Sequence, residues 1–366
     1  MEIIIIGAGM IGASLAFEAV NLGARVTVLD AGERVSGTSG TSFAWVNAHG
    51  KPPRVYQQLN NAGIDAHQAL QARFPHRRWL HLTGSAEFRH PHDAAALAVQ
   101  ARQLTAWGYP VRWLDKEALL VREPALARDA VPAMPILWCE REGWLDTRLY
   151  INTLLDEVIA GGGSVATATA VAGIIRNNQR VTGVTLANGR ALNADLVVNC
   201  CGRWADSQPF QPDLALPLAP TAGLLVRVPS AAAPVRHVLI TPTFDVRPDG
   251  PGHSLICPND LEVAWALTES PAARDQAAAD LLREAARLLP GLRGITDYQV
   301  TTGIRALPKD GLPAIGPLPG LTGYYCMVTH SGVTLAALLA ALAAREMVTG
   351  QTASALAPFR PDRLFA

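Results

Sequence analysis

The feature that most constrains this chain is a glycine triad directly behind its first apolar run. Ile3-Ile4-Ile5-Ile6 is continuous and β-branched, the pattern of a parallel strand covered on both faces. It runs into Gly7-Ala8-Gly9-Met10-Ile11-Gly12, then a helical stretch with Leu15, Ala16, Ala19, Val20 and Leu22 on one side and a stop at Gly23. Arg25-Val26-Thr27-Val28-Leu29-Asp30 supplies a second buried strand. Strand, turn, helix and strand thus follow within about thirty residues, the size of a βαβ unit. Gly7 permits the tight turn, Gly9 lets the backbone approach a pyrophosphate, and Gly12 allows close helix–strand packing. The helix N-terminus offers free N–H groups and partial positive charge to that pyrophosphate. Asp30 ends the second strand, where a carboxylate can accept hydrogen bonds from adenosine ribose hydroxyls. Alone, Asp30 would be a solvated strand end; in this context it completes a dinucleotide site. The same geometry serves FAD and NAD, which share adenosine diphosphate.

The rest of the 366 residues implies about two domains. Apolar residues make up 49% and charged residues 17%, enough for a large core, and a net charge of zero gives no reason to expect a nucleic-acid or anionic-membrane partner. Only Lys51, Lys116 and Lys309 among the 31 basic residues are lysines, a skew that fits coding bias. Cys139, Cys200, Cys201, Cys257 and Cys326 are odd in number and lack metal-ligand spacing; Cys200-Cys201 reads as two buried thiols at a strand tip rather than a redox dithiol. A reducing compartment fits. No signal precedes the first strand, and the apolar stretch Val333 to Ala344 is too short to span a bilayer. The expectation is a soluble cytoplasmic protein without a transmembrane segment, its oligomeric state open.

Further along, a Gly/Ser/Thr loop covers 36–42, and a mixed region rich in His, Arg and Trp runs to about 148. A helix is expected from an Asp146 or Thr147 cap to Gly161, strands over 164–175, 181–186 and 191–199 with a turn at Asn188-Gly189, and strand-like chain from 209 to 271. A helix over 272–289 has Ala278, Leu281, Leu282, Ala285 and Leu288 on one face, and a strand Tyr324 to Val328 leads into a long last helix.

Three more segments carry a family resemblance. Ala194 to Asn199 followed by Cys200-Cys201-Gly202-Arg203-Trp204 is similar to the second flavin motif of the FAD-dependent oxidoreductases of the D-amino-acid oxidase superfamily, with Cys-Cys-Gly where Ala-Ala-Gly or Ala-Thr-Gly is usual. Gly303-Ile304-Arg305-Ala306 and Asp310-Gly311-Leu312-Pro313-Ala314-Ile315-Gly316 resemble the family's Gly-Leu-Arg-Pro and Asp-Gly-x-Pro-x-Ile-Gly, with Ala306 replacing Pro. His330-Ser331-Gly332-Val333-Thr334 opens the last helix as in glycine oxidase, sarcosine oxidase and related amine dehydrogenases.

The resemblance implies an α/β fold: a discontinuous Rossmann-like FAD-binding domain (1–80, 149–208 and 300–366) with an inserted α+β substrate domain (81–148 and 209–299) carrying a mainly antiparallel sheet. It implies FAD contacts from Ile6, Gly7, Ala8, Gly9, Met10, Ile11, Gly12, Asp30 and Ala31, from Ser39, Thr41, Ser42 and Phe43 along the pyrophosphate and ring, from Val171 at the adenine, and from Cys201, Gly202, Trp204, Arg305, Ser331, Gly332, Val333 and Thr334. Relatives that tether flavin use a Cys near the Arg305 segment; 301–316 contains none, so FAD is expected to be non-covalent. Arg305 is expected to clamp a substrate carboxylate, with a salt bridge to Asp310 as the plainer alternative. His330 joins it as a catalytic candidate, while His49, His253, Trp45 and Asn47 are weaker candidates for the pocket. The reaction implied is C–N oxidation of a small amino acid or secondary amine by hydride transfer, followed by imine hydrolysis, with oxygen or another carrier as acceptor. Alternatives are an FAD-dependent 2-hydroxy-acid or polyol dehydrogenase, a flavin subunit of a multi-subunit amine or opine oxidase, and an NAD-linked enzyme.

Overall fold

The computed structural model describes residues 1–210, 215–219, 221–259 and 270–365. Ile3-Ile4-Ile5-Ile6 forms the strand Glu2–Ile6 near the middle of a six-stranded sheet. The strand order is Ala314–Pro317, Tyr324–Val328, Leu196–Asn199, Glu2–Ile6, Arg25–Leu29, Ser164–Ala166. All pairs are parallel except the Ala314–Pro317 edge. Side chains alternate between faces along a strand, so an all-apolar run needs two apolar layers. Ile3 and Ile5 enter a core with the helices, while Ile4 and Ile6 pack with Val171, Val181 and Leu186. That second layer is a three-stranded antiparallel sheet: Val171–Asn177, Arg180–Leu186, Ala191–Asn193.

The helical layer comprises Met10–Asn21, Thr147–Ala160 and Gly332–Thr349, with Arg54–Ala72 packed on the last. Asp146 caps the second of these, accepting from Leu149 N at 2.9 Å. Gly63 brings Arg54–Ala72 onto the Gly332 helix, where a Cβ would lie 2.6 Å from the Thr334 carbonyl oxygen. Among the described residues Gly332–Thr349 alone has the length and apolarity to cross a membrane, six residues longer than the stretch expected from sequence. Here Leu335, Ala336, Leu339, Ala340, Ala343 and Ala344 are buried in the core, each leucine contributing about 1.5–3 kcal/mol.

The second large sheet has eight strands. In order they are Gln299–Arg305, Thr221–Pro229, His253–Pro258, Phe244–Pro248, Val238–Ile240, Ser85–Glu87, Ile136–Cys139, Arg112–Leu114. Every pair is antiparallel except Val238–Ile240 with Ser85–Glu87. The helix Pro271–Leu288 covers it with Ala278, Leu281, Leu282, Ala285 and Leu288, against Leu224, Val226 and Val228. The chain is therefore α/β with one mainly parallel and one mainly antiparallel sheet. The two-domain division remains a proposal, with Gln299–Arg305, hydrogen-bonded into the second sheet, grouped there. The sheets meet where Thr38 Oγ1 donates to the Ile304 carbonyl at 2.7 Å and where a Cβ on Gly303 would lie 2.5 Å from the Thr41 carbonyl.

Candidate active site

The glycine turn has the geometry its composition demands. Gly7 has φ +103°, a region L side chains avoid, and a Cβ there would lie 2.5 Å from the Cys200 carbonyl oxygen. A Cβ on Gly12 would lie 1.8 Å from the Gly7 carbonyl. At Gly9 the close neighbour is Ser39, whose Oγ would sit 2.9 Å from a Cβ and which accepts from Met10 N at 3.1 Å. The helix Met10–Asn21 has no cap from its own N-cap residue Gly9 and no acidic residue in its first turn; Ser39 takes the Met10 N–H, and the end keeps its positive polarisation. Asp30 does more than end a strand: Oδ2 accepts from Ala8 N at 2.7 Å and Oδ1 from Gly32 N at 2.8 Å, tying down the turn while each oxygen keeps a lone pair. Thr169 N donates to the Asp30 carbonyl at 2.8 Å, which brings the segment before Val171 beside Asp30 and the exposed Ala31.

A cavity of about 500 Å³ opens beside this turn. Of the residues expected at the site, Gly9, Met10, Ile11, Ser39, Thr41, Ser42, Phe43, Gly202, Arg305, His330, Ser331, Gly332, Val333 and Thr334 line it, with Trp45 and Asn47. Ile6, Gly7, Ala8 and Gly12 support the turn from behind. Asp30, Ala31 and Val171 gather outside the cavity, at the ends of their strands. Cys201 and Trp204 also lie off the cavity lining. Cys200 lines the wall instead of Cys201, because Cys201 turns its Sγ toward the Ile6 carbonyl at 3.5 Å. Trp204 does not line the wall: Gly202 (φ +54°) opens a short 3-10 turn that leaves Trp204 49% exposed. Both thiols are held in the protonated form, pushed up by burial.

A second helix N-terminus lies beside the first, where a Cβ on Gly332 would be 3.9 Å from Ile11. Ser331 is its N-cap residue, yet its Oγ shares a hydrogen bond with Tyr56 Oη at 2.7 Å instead of closing the helix end. Thr334 Oγ1 donates to the Trp45 carbonyl at 3.3 Å and accepts from Asn47 N at 3.2 Å, so this first turn is locked to the Trp45–Asn47 loop.

Four titratable side chains of the wall set its electrostatics. Arg305 ends its strand opposite Thr221, and Gly223 makes room for it, since a Cβ there would lie 3.1 Å from Nη2. Asp310, the alternative partner, is instead bound by Arg363 at 2.8 Å. Lys51 is half-buried; burial lowers its pKa to about 8, reinforced by Arg305 and opposed by Glu142. Asp245 is raised to about 8 by burial and by Glu87, against His49 and Arg305, so it holds a proton at neutral pH. His330 reaches the open cavity, yet the crowding protein and then the charges of Lys51 and Arg305 lower its pKa, keeping it neutral.

His49 does not line the cavity. It is fully enclosed behind the wall, Nδ1 donating to Glu142 at 2.8 Å and Nε2 to Glu87 at 2.9 Å. Burial is the largest single influence and opposes its charge, but Glu142 and Cys139 together outweigh it and hold the imidazolium well above its ordinary range. Burial raises Glu142 in turn, but His49 and the N–H donors win and bring it to about 2. His49, Cys139 and Glu142 bring N, S and O donor atoms within 4.8 Å of one another. Glu142 already accepts from Ala48 N, His49 N, Tyr109 Oη, His49 Nδ1 and Ser85 Oγ, so its lone pairs are spent on hydrogen bonds. His253 lies on its strand away from the wall. Lys51, Asp245, Glu87 and Glu142 carry no local motif, and nothing in the sequence singled them out for the site.

A dinucleotide cofactor fits these residues. Two helix N-termini that their own N-cap residues leave unclosed, a turn closed to any side chain, and the buried, unpartnered Trp45 Nε1, Asn47 Oδ1 and Asp245 Oδ1 leave donors and acceptors facing one cavity. The family model described as FAD dependent oxidoreductase matches residues 2–346. The chain belongs to that family. It is an FAD-dependent oxidoreductase. Glycine oxidase of Geobacillus kaustophilus is 26% identical over 377 residues, 99% of this chain and 97% of that protein. Hydrogen cyanide synthase subunit HcnC of Pseudomonas aeruginosa is 24% identical over 256 residues, 69% of this chain; the match spans only 60% of that subunit's length. The crystal structure of the Geobacillus glycine oxidase superposes with a TM-score of 0.84 at 22% identity, covering 98% of this chain and 97% of that one.

Proposed function

We propose that this enzyme oxidises the C–N bond of a small amino acid or secondary amine that carries a carboxylate. One observation carries the reading: among the described residues, the Arg305 guanidinium faces the cavity without a hydrogen-bond or ion-pair partner. A planar guanidinium there grips a carboxylate with two parallel charge-assisted bonds, each about 1.5–3 kcal/mol. The Gly9–Ile11 turn and Ser39 through Phe43 would hold the FAD pyrophosphate, with Asp30, Ala31 and Val171 toward the adenosine. Ser331 through Thr334 would present N–H groups to the ring's electron-accepting edge. FAD, when bound, supplies the hydride acceptor for the C–H bond next to nitrogen. His330, neutral at working pH, accepts a hydrogen bond from the substrate amine and holds its lone pair in place. The absence of cysteine from 301–316 and the protonated state of Cys200 support non-covalent FAD. The five unpaired cysteines support a reducing, cytoplasmic setting.

The test is the visible spectrum of the purified protein before and after acid precipitation. Anaerobic additions of glycine, sarcosine, proline, D-amino acids and 2-hydroxy acids then follow. Yellow colour released by acid and bleached by an amine supports the reading; bleaching by hydroxy acids alone overturns the chemistry. Reoxidation with oxygen against an artificial carrier then separates oxidase from dehydrogenase.

A further inference from the structure

The carboxylate clamp accounts for one unpaired cation, and the cavity wall holds two. Lys51 and Arg305 both line it, and among the described residues neither has a hydrogen-bond or ion-pair partner. Arg203, also on the wall, is neutralised by Asp206 at 3.1 Å. The same wall carries a single acid, Asp245, whose Oδ1 is buried without a partner. Asp245 and Lys51 come from a strand and a loop far apart in the chain, yet each interacts electrostatically with Arg305, so the three titratable groups act on one space. Unpaired like charges sharing a desolvated pocket repel, and folding keeps them there only against that cost.

Building on the amine-oxidase reading, we propose that the substrate is a dicarboxylic amine, an imino diacid or an amino diacid, with Lys51 as the second anion clamp. Two cations and one acid are the charge complement of an amine flanked by two carboxylates. Arg305 takes the carboxylate next to the reacting carbon. Lys51 takes the distal carboxylate, and Asp245, as it ionises, pairs with the N–H of the ammonium form that His330 leaves free. The free Lys51 pKa of about 8 leaves it mostly charged at pH 7, and a bound carboxylate raises it further. A monocarboxylic amine such as glycine leaves one cation unpaired, so selectivity follows from the penalty for an unmatched buried charge.

The test uses the purified holoenzyme and two readouts. In the first, unreactive succinate, glutarate and malonate are titrated against acetate and propionate, followed by the bound-flavin spectrum and tryptophan fluorescence. Dicarboxylates are expected to bind about 10- to 100-fold tighter. Lys51→Met should collapse that ratio to near one, while Lys51→Arg, which keeps the charge, retains most of it. In the second, anaerobic flavin reduction by iminodiacetate, aspartate and glutamate of both hands is compared with reduction by glycine and sarcosine. Equal affinity for the two carboxylate classes, or a ratio that survives Lys51→Met in folded protein, overturns the proposal even if glycine is oxidised. A Lys51-dependent preference for dicarboxylates with no amine able to reduce the flavin upholds the clamp and removes the amine-oxidase reading.

Discussion

At the scale of single residues, charge and burial decide what each group does. Arg305→Met leaves the pocket without its carboxylate fork, and kcat/KM for the substrate should fall about 10²-fold or more. Steady-state kinetics on flavin-replete protein checks it, with flavin content as the control. Glu142 illustrates the opposite use of charge. Its pKa of about 2 lies below the ordinary 4.5, so its contribution to stability is present above pH 4.5 and lost as pH falls toward 2. Glu142→Gln should cost about 3 kcal/mol at pH 7 by leaving the buried His49 imidazolium with Glu87 as its one remaining carboxylate. Thermal melts at pH 7 and pH 3 should show the variant's deficit shrinking in acid. The glycine turn and Arg305 were legible because each sits in a contiguous motif. Lys51 and Asp245 were not, since 51, 245 and 305 share no local pattern and meet only in space.

At the scale of elements, the helix pair Arg54–Ala72 and Gly332–Thr349 sets the cavity's inner end. Gly63→Val would force a side chain into the Thr334 carbonyl and push the helices apart, costing about 1–3 kcal/mol or more. A lowered melting temperature and weakened flavin retention are the expected results. His67, on the same helix, donates from Nε2 to the Val333 carbonyl at 2.7 Å, and burial lowers its pKa to about 4. A histidine depressed below 6.5 stabilises the fold at higher pH, and that contribution is lost as pH falls from 6.5 through 4. His67→Phe should therefore flatten the stability loss between pH 7.5 and 4, read from melting temperatures across that range. Sequence periodicity did not resolve Arg54–Ala72, because its buried face includes Gln57, Asn60 and His67 and so breaks the apolar stripe. The strand expected over 191–199 is in fact two. Around Ala194-Asp195 the chain leaves the three-stranded sheet and enters the six-stranded one, a change of partner no local pattern encodes.

At the scale of the whole molecule, function depends on two sheets meeting along the 38–41 loop. Gly303→Val would insert a side chain against Thr41 and separate the Arg305 strand from the flavin side. The expected outcome is loss of flavin on gel filtration together with loss of carboxylate binding, read from the ratio of visible to ultraviolet absorbance. By itself the sequence determined the βαβ unit, the parallel strand with two buried faces, the Pro271–Leu288 helix and the order of the flavin motifs. Those properties are written in contiguous residues, where turn sterics and strand or helix periodicity act locally. Tertiary structure alone decided which side chains face the cavity, why Ser331 leaves its helix end open, and why His49 is walled off between two carboxylates. Those outcomes depend on desolvation and on charges brought together from distant parts of the chain.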